Sequence, residues 1–307
     1  MFKKYQVNIE VDKLVHAQTM HGLSRHLQRA EASSAVVSIG SERSHKSALR
    51  VFGRWLQNVK GKRLRRASAD DAAEFLQWRA ETVGQSAVSL GRQAINLHLF
   101  PADPLPFVVS DHPGSQENRA YTQASIEMLK SFADPKLLLS MELAENAGLR
   151  AMELVTIGRP SDQAASDRAW SKNRFMGRTA FEVFVVRGKG KLYREVAVDR
   201  PLAQRLERRR RLGSALVQDR SADLFSYYDL LSGHAFSDAF STLSSRVLGF
   251  SNGAHGLRHG FAQRRRVELL CMGLSFHEAL EILSQELGHF DTKNTLSYLR
   301  DCAQFAR

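Results

Sequence analysis

Near its C-terminus the chain carries His255-Gly256-Leu257-Arg258-His259, then Leu287-Gly288-His289, then Ser297-Tyr298. Imidazoles, a guanidinium and a phenol thus follow one another within 44 residues. Singly, each has a plainer reading: a solvated charge, a helix cap, a packed ring. As an ordered set they point to phosphate chemistry. A phosphodiester is already anionic, and a transition state with more charge on its oxygens needs fixed positive donors. Arginine stays protonated and offers a planar fork to two oxygens.

The elements that must hold these groups are mainly helical. Pro135–Asn146 reads as a helix ended by Gly148, with a new short helix starting at Arg150. Glu153 lies three residues on, placed to pair with Arg150 or to form an ordinary surface ion pair. Phe181–Val186 and Leu192–Val198 read as two strands around Arg187-Gly188-Lys189-Gly190-Lys191, a hairpin with lysines at its tip. Residues 159–178 read as a long irregular insertion before it. Helices are predicted at Thr122–Phe132, Leu202–Leu212, Ser237–Leu248, Leu257–Met272, Ser275–Leu287 and Thr292–Leu299. The run Arg208–Arg211 would lie on the second of these, either facing DNA or solvated.

The first hundred residues predict four helices. One spans Asp12–Ala32 with Leu14, Met20, Leu23 and Leu27 apolar. The next repeats Ala48, Phe52, Trp55 and Val59 at helical spacing. A third opens on Ser68 as N-cap with Asp71 three residues later, and a fourth near Ser86 carries Leu90, Ala94, Ile95 and Leu97. Pro101, Pro104, Pro106, Pro113 and Gly114 make 101–118 a connection between two domains, 1–100 and 119–307.

The chain has 307 residues, a net charge of +12 and a sequence pI near 10.0. Residues 1–100 hold 16 Lys+Arg against 8 Asp+Glu, so +8 of the excess lies there. A polyanion fits this balance, nucleic acid before membrane. The loop Lys60–Arg66 supplies Lys62, Arg63, Arg65 and Arg66, and neighbouring helices add Lys46, Arg50 and Arg92 as candidate phosphate contacts. For any one of them a solvated surface role is the simpler reading. Cys271 and Cys302 make no disulfide framework, and no zinc-ligand spacing is present. No metal or cofactor is expected. The start lacks the apolar run of a signal peptide and no stretch of ~18 apolar residues exists, so a cytoplasmic protein is expected.

Assembled, these parts resemble the tyrosine recombinase (phage integrase) family. The matching pieces are Gly148–Leu154, the turn Gly188–Gly190, His255–His259, Leu287–His289 and Ser297-Tyr298, in the family's order, with nine residues from His289 to Tyr298. The resemblance covers about residues 119–302; the helical N-terminal region looks more weakly like the family's core-binding domain. It implies that Arg150 and Arg258 clamp a scissile phosphate and Tyr298 is the nucleophile. His255 would take the phenol proton, Lys189 or Lys191 would protonate the leaving 5′-oxygen, and His289 would hydrogen-bond a phosphate oxygen. His259 is read as structural. The intervals from Arg150 to Lys189 and from Arg258 to His289 are longer than the family's, and few residues follow Tyr298. The implied activity is site-specific cutting and rejoining of double-stranded DNA, with a homo-tetramer on paired duplexes. The rivals are relaxation of one duplex, as by a type IB topoisomerase, and a non-cleaving DNA-binding accessory protein.

Overall fold

The computed structural model describes residues 4–20, 36, 38–112, 118–219 and 222–299. They form two compact units, divided between Ser115 and Gln116.

The first unit is helical: α1 Lys4–His16, α2 Ile39–Lys60, α3 Ala69–Thr82 and α4 Gln85–His98. Each boundary has a local cause. Ser38 accepts a hydrogen bond from the Ser41 amide to start α2, and Gly61 ends it in the left-handed region at φ 64°. Ser68 and Asp71 form a complete capping box at the start of α3. Leu49, Phe52 and Leu56 of α2 meet Phe75, Leu76, Val88 and Ile95 in one core. Helix α1 starts earlier than the leucine pattern predicts, because its buried stripe is Val7, Val11 and Val15, spaced four apart. Met20 is exposed, and Leu23 and Leu27 lie outside the described residues. The proline-rich stretch is not a free connection up to residue 112. Leu105 and Val108 are buried in this core, and Gln85 bonds both the Val108 carbonyl and the Ser110 amide.

The second unit holds α5 Gln123–Phe132, α6 Pro135–Ala147, α7 Ala151–Val155, β1 Phe181–Arg187, β2 Tyr193–Asp199, α8 Arg200–Glu207, β3 Arg210–Asp219, β4 Ala222–Tyr228, α9 Gly233–Leu248, α10 His255–Cys271, α11 Phe276–Glu286 and α12 Thr292–Leu296. The architecture is mainly α with two separate antiparallel hairpins. Strands β1 and β2 pair in unbroken register from Phe181↔Asp199 to Arg187↔Tyr193. Val186, Val196 and Val198 pack from this hairpin onto α5, α6 and α9 through Leu129, Leu143 and Phe240.

The helix predicted over Leu202–Leu212 is corrected: it stops at Glu207, and a strand starts at Arg210. Buried Leu224, Ser226 and Tyr228 alternate along β4, a period of two that only a strand satisfies. The arginine run is therefore not one helical face. Arg210 holds Asp162 at 2.6 Å, while Arg209 and Arg211 both reach Asp229.

Residues 159–178 form an ordered strap. The Ser171 amide donates to Gln285 Oε1, the Phe175 amide to Glu286 Oε1, and Arg265 Nη2 to the Met176 carbonyl. Trp170 packs on Phe290 with ring centroids 4.8 Å apart. Among the described residues, no helix is long and apolar enough to cross a membrane.

Candidate active site

Arg150 is the N-cap of α7, set by the turn at Gly148. That turn needs glycine twice over: φ is 60°, and a Cβ there would stand 2.4 Å from Phe261. Both terminal nitrogens of Arg150 are held. Nη1 donates to Glu153 Oε1 at 2.7 Å, and Nη2 to His289 Nε2 at 2.9 Å. A guanidinium only donates, so His289 carries its proton on Nδ1, 3.2 Å from Thr295 Oγ1. Arg150 keeps 24% of its side chain exposed.

Glu153 is fully buried, and no surface pair. Its carboxylate meets three guanidinium groups: Arg150, Arg194 Nη2 at 2.8 Å and Arg258 Nη1 at 3.4 Å. Burial pushes its pKa up, but Arg194, Arg258 and Arg150 outweigh that and hold it well below the usual carboxylate range. Three cations face one anion, so the cluster keeps a net positive charge suited to an anionic ligand.

Arg258, on the first turn of α10, is also fully buried. Its Nη1 donates to the Gly148 carbonyl and its Nη2 to the Leu287 carbonyl, each at 2.5 Å. The Gly148–Leu154 and Leu287–His289 segments are thereby tied to one side chain.

Tyr298 lies just past α12, buried to 7% exposure. Its ring is 5.5 Å from His255, 4.6 Å from His259 and 5.6 Å from His289, centroid to centroid, and Arg258 Cζ lies 5.6 Å from it. Burial works against the Arg150 cation, but Glu153 and then the Tyr298 phenol offset it, so the Arg150 pKa is raised. His255 and His289 are both pushed down to about 3, by burial first and then by Arg258. Both imidazoles are therefore neutral at pH 7, and a neutral imidazole can accept a proton.

The hairpin tip adjoins this cluster through its backbone. A Cβ on Gly188 would lie 3.2 Å from Glu153 Oε1 and 3.9 Å from Arg150 Nη1. Lys189 and Lys191 form the next turn, with Gly190 at φ 76° and Lys191 at φ 62°. The Lys189 side chain lies outside the described residues. Five of the six residues expected to do chemistry thus have described side chains, and those five converge.

The basic residues expected to meet DNA in the first unit are differently placed. Lys46 bridges Glu42 at 2.6 Å and Asp12 at 3.6 Å, and Arg50 takes Asp12 at 2.9 Å. Lys62 is engaged by the capping carboxylate Asp71 at 2.8 Å. Arg92 Nε donates to the Leu105 carbonyl. Arg65 and Arg66 are exposed and Arg63 half-buried, around the short turn Leu64–Arg66. Among the described residues no group of three or more His, Cys, Asp or Glu is placed to hold a metal ion.

One residue of the site, Arg194, escaped the sequence reading. Arg194 had a signal: it shares a strand face with Val196 and Val198, both buried. His259, read as structural, packs its ring directly on Tyr298.

No family model and no curated protein matches the sequence. Solved structures do match. A lambda integrase tetramer bound to a Holliday junction aligns with a TM-score of 0.54 at 14% identity, over 90% of this chain and 77% of that one. XerH site-specific recombinase bound to difH substrate, in a pre-cleavage complex, aligns at 0.52 and 14% identity, over 88% and 81%. Lambda integrase residues 75–356 bound to DNA aligns at 0.51 and 12% identity, over 95% and 97%. The fold of this chain is accordingly that of these lambda integrase and XerH structures.

Proposed function

We propose that this protein is a site-specific DNA recombinase that cuts and rejoins double-stranded DNA with Tyr298 as nucleophile. The observation that carries the reading is the gathering of Tyr298, Arg150, Arg258, His255 and His289 around one net-positive cluster. The Tyr298 oxygen attacks the scissile phosphorus, and neutral His255 takes the phenol proton. The bond from phosphorus to the 5′-oxygen breaks, and that oxygen leaves as a hydroxyl with a proton from the hairpin-tip lysine, Lys189 or Lys191. The phosphate stays on Tyr298 as a 3′-phosphotyrosyl ester. Attack by a 5′-hydroxyl reverses each transfer and restores the backbone without ATP.

Arg150, partly exposed, grips a non-bridging oxygen directly; Arg258 joins it on releasing one of its two carbonyls. Loss of one such preorganised donor costs about 3–4 kcal/mol of barrier. The exposed arginines Arg65 and Arg66, with Arg63, contact the duplex backbone, and Lys46, Arg50, Lys62 and Arg92 shape that surface through their ion pairs and hydrogen bonds. The lambda integrase neighbour is a tetramer on a junction, and four copies on paired duplexes is the assembly we assign here. The reading places the protein in the cytoplasm and gives it no metal cofactor.

The test is a library of nicked duplexes of random sequence, built so that the released 5′-hydroxyl strand diffuses away. Wild-type protein is expected to accumulate a covalent adduct and Tyr298→Phe none, and sequencing the trapped DNA gives the site. An adduct that survives Tyr298→Phe refutes the nucleophile; no adduct from either protein favours a non-cleaving DNA-binding protein. Exchange between two such sites, against simple relaxation of a supercoiled circle, separates a recombinase from a topoisomerase.

A further inference from the structure

Arg194 is a fully buried charge in the second unit that the chemistry above leaves idle. It sits on the inward face of β2 with 1% of its surface exposed, where its neighbours on that face are Val196 and Val198. A buried guanidinium is costly unless its donors are engaged, and both terminal nitrogens of Arg194 are. Nη2 donates to Glu153 Oε2 at 2.8 Å, and Nη1 donates to the Glu286 carbonyl at 2.6 Å. The aliphatic stem crosses Gly288, where a Cβ would stand 2.7 Å from Arg194 Cδ.

These contacts close a ring. Arg150 has two terminal nitrogens, one on Glu153 and one on His289. Arg194 stands behind both holders: it bonds the Glu153 carboxylate on the second oxygen, and it pins the Glu286–Gly288 backbone that presents His289. Glu153 and His289 come from segments 136 residues apart in sequence. Arg258 also joins those segments, at the Gly148 and Leu287 carbonyls, and reaches Glu153 Oε2 more distantly at 3.4 Å.

We infer that Arg194 is a positioning residue that sets the direction of the Arg150 guanidinium by holding Glu153 and the His289 turn at a fixed separation. It touches no phosphate. The inference rests on the proposed phosphotyrosyl chemistry for its consequence, and on the DNA-free site for its geometry.

The experiment compares wild type, Arg194→Met, Arg194→Lys, Arg150→Ala and the Arg150→Ala/Arg194→Met double variant. Single-turnover adduct formation is measured at saturating nicked duplex of the sequence trapped by wild type. Arg194→Met is expected to slow adduct formation about 100-fold, the order of loss for a group misplaced by an ångström. Its Kd for the intact duplex stays within about threefold of wild type, because no direct contact is lost. Arg194→Lys, which keeps the charge but reaches one of the two partners, recovers part of the rate. The double variant is no slower than Arg150→Ala alone, since Arg194 acts through Arg150. A double variant slowed by the product of the single losses overturns the inference, as does Arg194→Met at the wild-type rate. Should Arg194→Met melt below the assay temperature, Arg194→Lys and Arg150→Ala/Arg194→Lys carry the same cycle.

Wild type that forms no adduct defeats the proposed function and leaves the inference to a second readout. In the DNA-free protein, ring ¹⁵N shifts of His289 report a proton on Nδ1 and an accepting Nε2. That signature is expected in wild type and lost in Arg194→Met; its survival there overturns the inference.

Discussion

Both units are rich in arginine and lysine, and they use them in opposite ways. In the first unit several cations meet carboxylates one or two at a time: Lys46 and Arg50 share Asp12, and Lys62 takes Asp71. In the second, three guanidinium groups converge on one buried carboxylate, with two of them shielded from water altogether. Exposed pairs each contribute about 0–1 kcal/mol and are screened by salt. A buried cluster with excess positive charge costs free energy in the empty protein and is offset when an anion enters. The N-terminal third carries most of the net charge, yet the concentrated potential is where charge is balanced least locally.

Replacing Glu153 by Gln breaks this contrast most severely. It leaves three buried or half-buried cations without an anion, and about 3–5 kcal/mol of stability is expected to be lost, read by chemical denaturation. A change under 1 kcal/mol would mean that the cluster is solvated after all. The next effect is pH. His255 and His289 titrate near 3 in the folded protein and near the ordinary 6.5 when unfolded, so the unfolded chain binds more protons between those values. Stability contributed by the neutral rings is complete above pH 6.5 and is lost as pH falls towards 3. His98 in the first unit, pushed down to about 4 by burial and then His45, adds to the same window. Melting temperature measured from pH 7 to pH 4 is expected to fall, and His98→Gln should flatten the part that belongs to the first unit. A smaller loss, about 1 kcal/mol, is expected for Ser68→Ala, which removes one half of the α3 capping box. Smallest in stability is Arg65→Gln, within about 0.5 kcal/mol as for other exposed sites. If that side chain meets a phosphate, the slope of log K against log salt drops by about 0.9. An unchanged slope removes Arg65 from the DNA surface.

Much of the site could be read along the chain because its parts are local. The Ser68–Asp71 box, the Gly148 stop and the β1–β2 hairpin are each written in a few adjacent residues. Arg150, His255, Arg258, His289 and Tyr298 share an order and spacing, and the fold brings them together. What stayed hidden depends on pairing across distance. Arg208–Arg211 suits a helix surface as well as a strand; the decision comes from β4, whose buried alternation selects β3 as its neighbour. The pairing of Glu153 with Arg150 was legible in their spacing of three, but nothing near Glu153 in sequence announces Arg194 or Arg258 closing over it. Leu105 and Val108 were masked by prolines, although two apolar residues three apart were a reason to expect docking.

The strap formed by residues 159–178 makes that stretch the wrong place to shorten the protein. Excising it would leave Gln285 and Glu286 without the two amides they accept from, strip Phe290 of its aromatic neighbour and take the Met176 carbonyl from Arg265. Gln285, Glu286 and Phe290 flank the His289 turn, and Arg265 pairs with Glu286. A minimised version that keeps every reactive side chain but drops this segment would carry a full set of tools on a loosened bench.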